Sequence, residues 1–181
     1  MADINSYAAF TPVSADKMLG TDDPSGTPLT RNSTVLALLG AIEFGSISVT
    51  GASATQSPGA AYALMTMFAV DGDSSAGVTP AVASNKITLT ETGHYLVIVN
   101  LSLENSTAEL TSMRVYWNAV AQTQLTAVHD VNDVDEEFQM TIMGTVDVTT
   151  GATDIDLRAI APAGALKLRE GSFTVIRIGN T

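Results

Sequence analysis

The sequence predicts an all-β protein, an antiparallel sandwich or barrel, that follows an N-terminal segment of different character. Three observations support this fold class. From about residue 61 onward, apolar and polar residues alternate with period two in short segments, spaced at roughly ten-residue intervals. Clusters of turn-forming residues separate these segments. In this part of the sequence we find no apolar pattern typical of a helix and no internal repeat.

Composition and charge limit the possible partners and functions of the protein. The chain has 181 residues, with 19 acidic against 8 basic residues and a formal charge of −11. Such a surface repels phosphate backbones and anionic lipid, so we expect neither nucleic acid nor a membrane surface as a partner. There is no cysteine, which excludes disulfides and thiolate zinc sites. Without a signal-peptide pattern or an apolar run of about 20 residues, we expect a soluble, unexported protein.

Residues 1–58 are rich in small residues, Pro and Asp, and form the predicted first part of the chain. "GTDDPSGTP" (20–28) has the composition of turns. Residues 29–44 contain the one helix candidate, which Asn32 or Ser33 could cap. At about two turns it must dock on another surface to persist. Residues 45–60 are predicted to be a linker or a weak strand.

The second part of the chain, 59–181, contains the strand candidates. The clearest is "GHYLVIVNLSLEN" (93–105), in which every odd position from Tyr95 to Leu103 is apolar. In 138–148, Phe138, Met140, Ile142, Val146 and Val148 share one face. The full set of predicted strands is 61–70, 85–90, 93–105, 112–119, 119–128, 138–148, 154–160 and 172–179.

Three of these strands are apolar on both faces: 61–70, the first half of 93–105, and 172–178. Antiparallel strands of a lone sandwich usually show one face to water, so these strands need a second cover. A continuous exposed apolar patch would make a monomer prone to aggregate. We therefore expect the protein to associate with itself through these strands. The alternative is that the N-terminal segment folds back over them. The residues predicted to form the contact are Leu64, Phe68, Leu96, Ile98, Ile176 and Ile178.

Four stretches together resemble the complement/tumour-necrosis-factor-like jelly rolls. "ITLTETGHYLVIVNLSL" (87–103) resembles their strand–Gly-x-Tyr–strand signature, and "MRVYWNAVAQ" (113–122) resembles their strand–Asn-turn–strand. "VDVTTGATDIDLRA" (146–159) is similar to their strand, Gly-Asp turn and strand, although Gly151 and Asp154 are separated here. "SFTVIRIG" (172–179) resembles their last strand.

This resemblance implies a two-sheet antiparallel jelly roll that assembles as a homotrimer. In that family the inner sheet meets the threefold axis and contains the first strand, the Gly-x-Tyr strand and the last strand. The resemblance assigns these places to 61–70, 93–105 and 172–179. The second face of these strands would then be covered by two further copies of the chain.

The N-terminal stretch "SADKMLGTDDPSGTPLTRNSTVLALL" (14–39) resembles the leader of many bacteriophage fibre and head or tail appendage proteins. That resemblance implies a virion-anchoring segment, with contacts to other virion proteins. Its anchoring residues would be Leu19, Val35, Leu38 and Leu39.

Candidate chemical sites are sparse. His94 and His129 lack the context of a zinc site or a catalytic triad, and strand-end surface positions are the favoured interpretation. The acidic turn "HDVNDVDEE" (129–137) could hold calcium through Asp130, Asn132 and Asp135. It departs from the EF-hand pattern, which favours a solvated acidic loop.

Trp117 and Tyr116 could form a platform for a sugar. The pattern instead favours Met113, Val115 and Trp117 on the core face, with Tyr116 outside beside Arg114 and Asn118. We therefore expect no enzyme activity and no cofactor. The predicted function is a structural virion protein, a decoration or short fibre on a bacteriophage head or tail. The alternative is a receptor-binding module that recognises a host surface glycan.

Overall fold

The computed structural model describes residues 17–21, 30–34, 42–51 and 55–179. The chain forms two compact units, Met1–Ile42 and Glu43–Thr181. In the first unit, β1 (Lys17–Thr21) pairs antiparallel with β2 (Thr30–Thr34). β2 occupies the start of the helix candidate, whose residues 35–41 lie outside the described residues.

The second unit consists of twelve described strands and one 3₁₀ turn, Val82–Ser84. The strands are β3 (Phe44–Val49), β4 (Thr55–Gln56), β5 (Gly59–Leu64), β6 (Val70–Ser74), β7 (Val78–Ala81), β8 (Lys86–Leu89), β9 (Gly93–Asn105), β10 (Leu110–Trp117), β11 (Val120–Asp130), β12 (Glu136–Val148), β13 (Thr153–Ala161) and β14 (Leu166–Gly179). No described residue belongs to a helix long and apolar enough to cross a membrane.

These strands form two antiparallel sheets of six. Sheet 1 has the order β12-β9-β14-β3-β6, with β4 also beside β14. Sheet 2 has the order β11-β10-β13-β8-β7, with β5 also beside β13. The described part of the second unit is thus all-β, apart from the 3₁₀ turn, with two antiparallel sheets in a jelly-roll arrangement, as the sequence predicts.

The core lies between the two sheets and is built by the period-two alternation. On β9, Tyr95, Val97, Val99, Leu101 and Leu103 are all buried. The predicted face of β12 is buried as well, from Phe138 to Val148. Sheet 2 contributes buried residues of β10 and β13, among them Met113, Val115, Ile155 and Leu157.

The Gly-x-Tyr signature has a steric and a polar cause in this fold. A side chain at Gly93 would place its Cβ 2.5 Å from the carbonyl oxygen of Gly179 and 2.7 Å from Arg177 Nε. Two residues on, the Tyr95 hydroxyl donates a 2.9 Å hydrogen bond to the carbonyl oxygen of Glu91. The pair therefore lets β9 start close against the end of β14 and ties the preceding turn to the core.

The predicted strand at 61–70 is wrong in its extent and its place. β5 ends at Leu64 in sheet 2, and β6 begins at Val70 in sheet 1. Between them, Met65, Met67 and Phe68 are buried in the core. The stretch is apolar on both faces because it crosses between the sheets, and not because a second molecule must cover it.

The sequence predicts a linker or a weak strand at 45–60, and the structure has strands there: most of β3, all of β4 and the start of β5. β3 pairs with β14 along its whole length, from Phe44 opposite Ile176 to Val49 opposite Gly171. Its Ile47 and Val49 are buried. The jelly roll therefore begins at β3, earlier in the chain than the predicted boundary between residues 58 and 59.

Candidate interaction surface

The outward face of sheet 1 carries two adjacent rows of apolar side chains, which together we call the apolar strip: Phe44, Ile176 and Leu96 in one row, Ile98 and Met143 in the next. On β9, Leu96 and Ile98 are only partly buried, in contrast to their neighbours Tyr95, Val97 and Val99, which face the core. In register, Leu96 lies opposite Ile176 on β14, and Ile176 lies opposite Phe44 on β3.

On the other side of β9, Ile98 lies opposite Met143 of β12. Met143 is 70% exposed and Phe44 is 37% exposed. Four neighbouring strands thus present apolar side chains side by side to the outside of the sheet. Directly opposed residues in a sheet lie within contact distance, and Leu96 and Ile98 are neighbours on the same face of β9. The two rows therefore form one surface.

Three of the six predicted contact residues lie in this strip: Leu96, Ile98 and Ile176. Ile178, which is 55% exposed, follows on β14 at an irregularity between Arg177 and Gly179. The structure does not bring Leu64 or Phe68 to it. Leu64 lies opposite Arg158 in sheet 2. Phe68 is buried, with its ring centroid 6.4 Å from that of Phe173 in the core.

The sequence interpretation missed Phe44 and Met143. The sequence does carry a signal for Met143: it is the one apolar residue among the outward positions 139, 141, 143, 145 and 147. Phe44 was hidden because its strand has only Ile47 and Val49 as further large apolar residues.

The same face of sheet 1 is polar at its other end. Asn100, Ser102, Gln139, Glu170 and Gly171 line a shallow hollow of about 190 Å³. Thr141 Oγ1 donates a 3.3 Å hydrogen bond to Asn100 Oδ1 beside it. This division accounts for the change along 93–105 from an apolar to a polar second face.

The acidic loop is organised by Glu136. Its carboxylate accepts hydrogen bonds from the backbone N–H groups of Asn132 (2.7 Å) and Asp133 (3.3 Å). These bonds, above all, lower the pKa of Glu136 below its usual value. The calcium candidates Asp130, Asn132 and Asp135 are all exposed. Within the described ranges, no three acidic or histidine side chains converge as metal ligands would.

Both histidines lie beside carboxylates near strand ends. His94 Nδ1 is 2.5 Å from Asp147 Oδ1 in an exposed pair. His129 stacks on Phe138 with ring centroids 4.5 Å apart, and its Nε2 lies 3.5 Å from Glu136 Oε1.

The predicted faces of β10 are confirmed. Met113 and Val115 are fully buried and Trp117 packs against the core, while Arg114 and Tyr116 lie on the outward face of sheet 2. At the strand end, Trp117, Asn118, Val120 and Gln122 line a hollow of about 300 Å³.

The predicted anchoring residues are mostly not part of the described structure. Val35, Leu38 and Leu39 lie outside the described residues, and Leu19 belongs to β1.

The fold is that of the tumour-necrosis-factor and C1q globular jelly rolls. The chain is similar to the Eiger tumour necrosis factor of S. frugiperda, with a TM-score of 0.60 and 13% identity over 77% of this chain and 93% of that one. It is also similar to the globular domain of zebrafish complement 1qA protein, with a TM-score of 0.53 and 13% identity over 77% of this chain and 98% of that one. No protein-family model and no curated protein sequence matches the chain.

Proposed function

We propose that the protein is a homotrimeric structural protein of a bacteriophage particle, a decoration or short fibre on the head or tail. In this proposal the jelly roll trimerises through the apolar strip, the N-terminal segment anchors the trimer to other virion proteins, and no reaction is catalysed. The apolar strip is the observation that carries the proposal.

The physical argument for self-association starts from the exposure of the strip. Apolar surface costs free energy in water, about 25 cal/mol per Å². A contiguous outward strip that includes Met143 and Phe44 is the kind of surface that marks a protein contact. Jelly rolls of this fold commonly assemble as trimers through the same sheet, which favours two further copies of this chain as the cover.

The virion role rests on the leader resemblance of residues 14–39, with Leu19, Val35, Leu38 and Leu39 as the anchoring residues. In this proposal the apolar residues of the segment are buried against another virion protein, and this burial supplies the affinity. A chain with a formal charge of −11 suits a role outside the nucleic acid of the particle.

The test is to compare the full chain with a chain that begins at residue 42, so that β3 is retained. Particles are purified from lysates of the phage that carries the gene, and the protein is located by immunogold electron microscopy. We expect the full chain at regular sites on head or tail, and the shortened trimer in the soluble fraction only. Equal incorporation of both chains would contradict the anchor, and absence of the full chain from all particles would contradict the virion role.

A further inference from the structure

The outward face of sheet 2 carries a cluster of two tyrosines and two arginines, which we call the tyrosine–arginine cluster. Arg114 on β10 lies directly opposite Arg158 on β13 in the antiparallel register. The guanidinium carbon of Arg114 is 4.4 Å from the ring centroid of Tyr62, and that of Arg158 is 4.2 Å from the ring centroid of Tyr116. The two ring centroids are 6.0 Å apart.

The cluster holds a positive charge that the described residues around it do not neutralise. Asp156 accepts hydrogen bonds from Arg158 Nε (2.8 Å) and Nη2 (3.2 Å). Arg114 Nε donates instead to the hydroxyl of Thr126 (2.9 Å). Over the described ranges, no carboxylate lies within ion-pair distance of Arg114.

Two like charges directly opposite each other destabilise a sheet, so this pair has an energetic cost in the free protein. The neighbouring cation, Lys86, is matched by Asp154 at 2.5 Å. Among the described residues, Arg114 is therefore a cation without an ion-pair partner on this face, in a protein whose overall charge is −11.

We propose that the tyrosine–arginine cluster binds the carboxylate of an acidic sugar, a uronic or sialic acid residue of a surface glycan, with Arg114 as its main ligand. Arginine binds carboxylates through two parallel N–H bonds in one plane. The Tyr62 ring and the hydrogen bond from Nε to Thr126 hold the Arg114 guanidinium in place before the ligand arrives. Such preorganisation lowers the ordering entropy that binding costs.

A sugar carboxylate fits the cluster better than a polyanion or an acidic peptide does. The charge of the whole protein repels polyanions at long range, whereas the local surplus acts within a Debye length of about 8–10 Å. The Thr126 hydroxyl accepts from Arg114 Nε at 2.9 Å, and the Tyr62 hydroxyl is hydrogen-bonded to that of Ser112 at 2.7 Å. The Tyr62 oxygen can still accept a hydrogen bond from a neutral hydroxyl of the sugar. The inference is independent of the apolar strip, which lies on sheet 1.

The test is a nuclear magnetic resonance titration of the full-length protein with ¹⁵N-labelled arginine. Glucuronate and N-acetylneuraminate are the probes, and methyl glucoside is the neutral control. We expect the Nε–H signals of Arg114 and Arg158 to shift saturably with the acidic sugars only. Arg114→Gln should weaken binding roughly tenfold or more, as the loss of charge-assisted hydrogen bonds predicts. Arg169→Gln, which removes an arginine paired with Glu104 on sheet 1, should bind as the wild type does.

Arg114→Lys keeps the charge but loses the planar fork, and it should bind less tightly than the wild type. If Arg114→Gln does not fold, the affinity of Arg114→Lys tests whether Arg114 binds the carboxylate. Wild-type affinity in a folded Arg114→Lys and Arg114→Gln would overturn the proposal. So would equal shifts with methyl glucoside, or binding of a hexaglutamate peptide to the cluster when neither acidic sugar binds.

Discussion

Tyr95 shows how one side chain connects a turn to the core. Its ring is fully buried between the sheets, and its hydroxyl donates to the carbonyl oxygen of Glu91. Burial raises the pKa of this hydroxyl above its usual value of 10.0, because an ionised phenolate loses hydration there; the charge of Arg177 acts in the opposite direction but is weaker.

This shift predicts a specific dependence of stability on pH. The folded state holds the Tyr95 proton more tightly than the unfolded state, so the contribution of Tyr95 is fully present below about pH 10 and falls as the pH rises towards the folded-state pKa. Tyr95→Phe should be about 1 kcal/mol less stable at neutral pH, through the lost hydrogen bond, but should lose less stability on going to alkaline pH. Urea unfolding from about pH 8 to about pH 11 measures both effects. An equally steep alkaline loss in Tyr95→Phe would show that another group causes it.

At the scale of elements, the β10–β11 hairpin turns at Asn118 and Ala119, with φ angles of +46° and +63°. Two successive residues with positive φ form the turn type that suits the twist of a two-residue hairpin. Asparagine tolerates this region, but alanine has a Cβ that is crowded there. Ala119 is therefore a strained position in a hairpin that is otherwise well formed.

Ala119→Gly should raise the free energy of unfolding by about 0.5–1 kcal/mol, since glycine adopts positive φ without that strain. Ala121→Gly, two residues further on within β11, is the matched control. It should lower stability by a similar amount, because glycine in a strand costs backbone entropy. Chemical denaturation of both variants measures the changes. A destabilised Ala119→Gly would contradict this view of the turn.

The elements also show how far the sequence determines the fold. Period-two alternation located β9, β10, β12 and β13, because one face of each strand is buried by large apolar residues. It failed for β3, where three of the six residues are Gly or Ser and only Ile47 and Val49 are large buried apolar residues. It also failed for 61–70, because periodicity cannot distinguish a strand covered on both faces from a chain that crosses the core.

The same reasoning applies to the candidate surface. Leu96, Ile98 and Ile176 were identified from their own strands, since each is apolar at a position that alternation leaves outside. Phe44 and Met143 required the strand order, because only the register shows that they lie beside Ile176 and Ile98. The tyrosine–arginine cluster likewise depends on the pairing of β10 with β13, which no local pattern contains.

At the scale of the whole molecule, the position of β3 determines where the jelly roll begins. A chain that begins at residue 42 keeps every strand of both sheets and should fold with the secondary structure of the full jelly roll. A chain that begins at residue 59 loses β3 and leaves the β14 edge unpaired, with the core open at Phe173 and Val175. We expect it to aggregate or unfold in circular dichroism and light scattering. A chain from residue 59 with the same spectrum and mass as the chain from residue 42 would contradict the role of β3.

Trimerisation through the apolar strip is the central claim, and the mass of the protein in solution tests it most directly. Multi-angle light scattering of the full chain should give about 56 kDa, three copies of the 18.8-kDa chain. Ile98→Asp would place an unpaired charge in the contact at a cost of several kcal/mol per subunit, roughly 3–5, and should give monomer or aggregate.

Val120→Asp, which places the same charge at a 63% exposed position of the β10–β11 hairpin, is the control and should remain a trimer. A full-length protein that runs at the mass of one chain, or a folded Ile98→Asp that keeps the trimer mass, would contradict the claim.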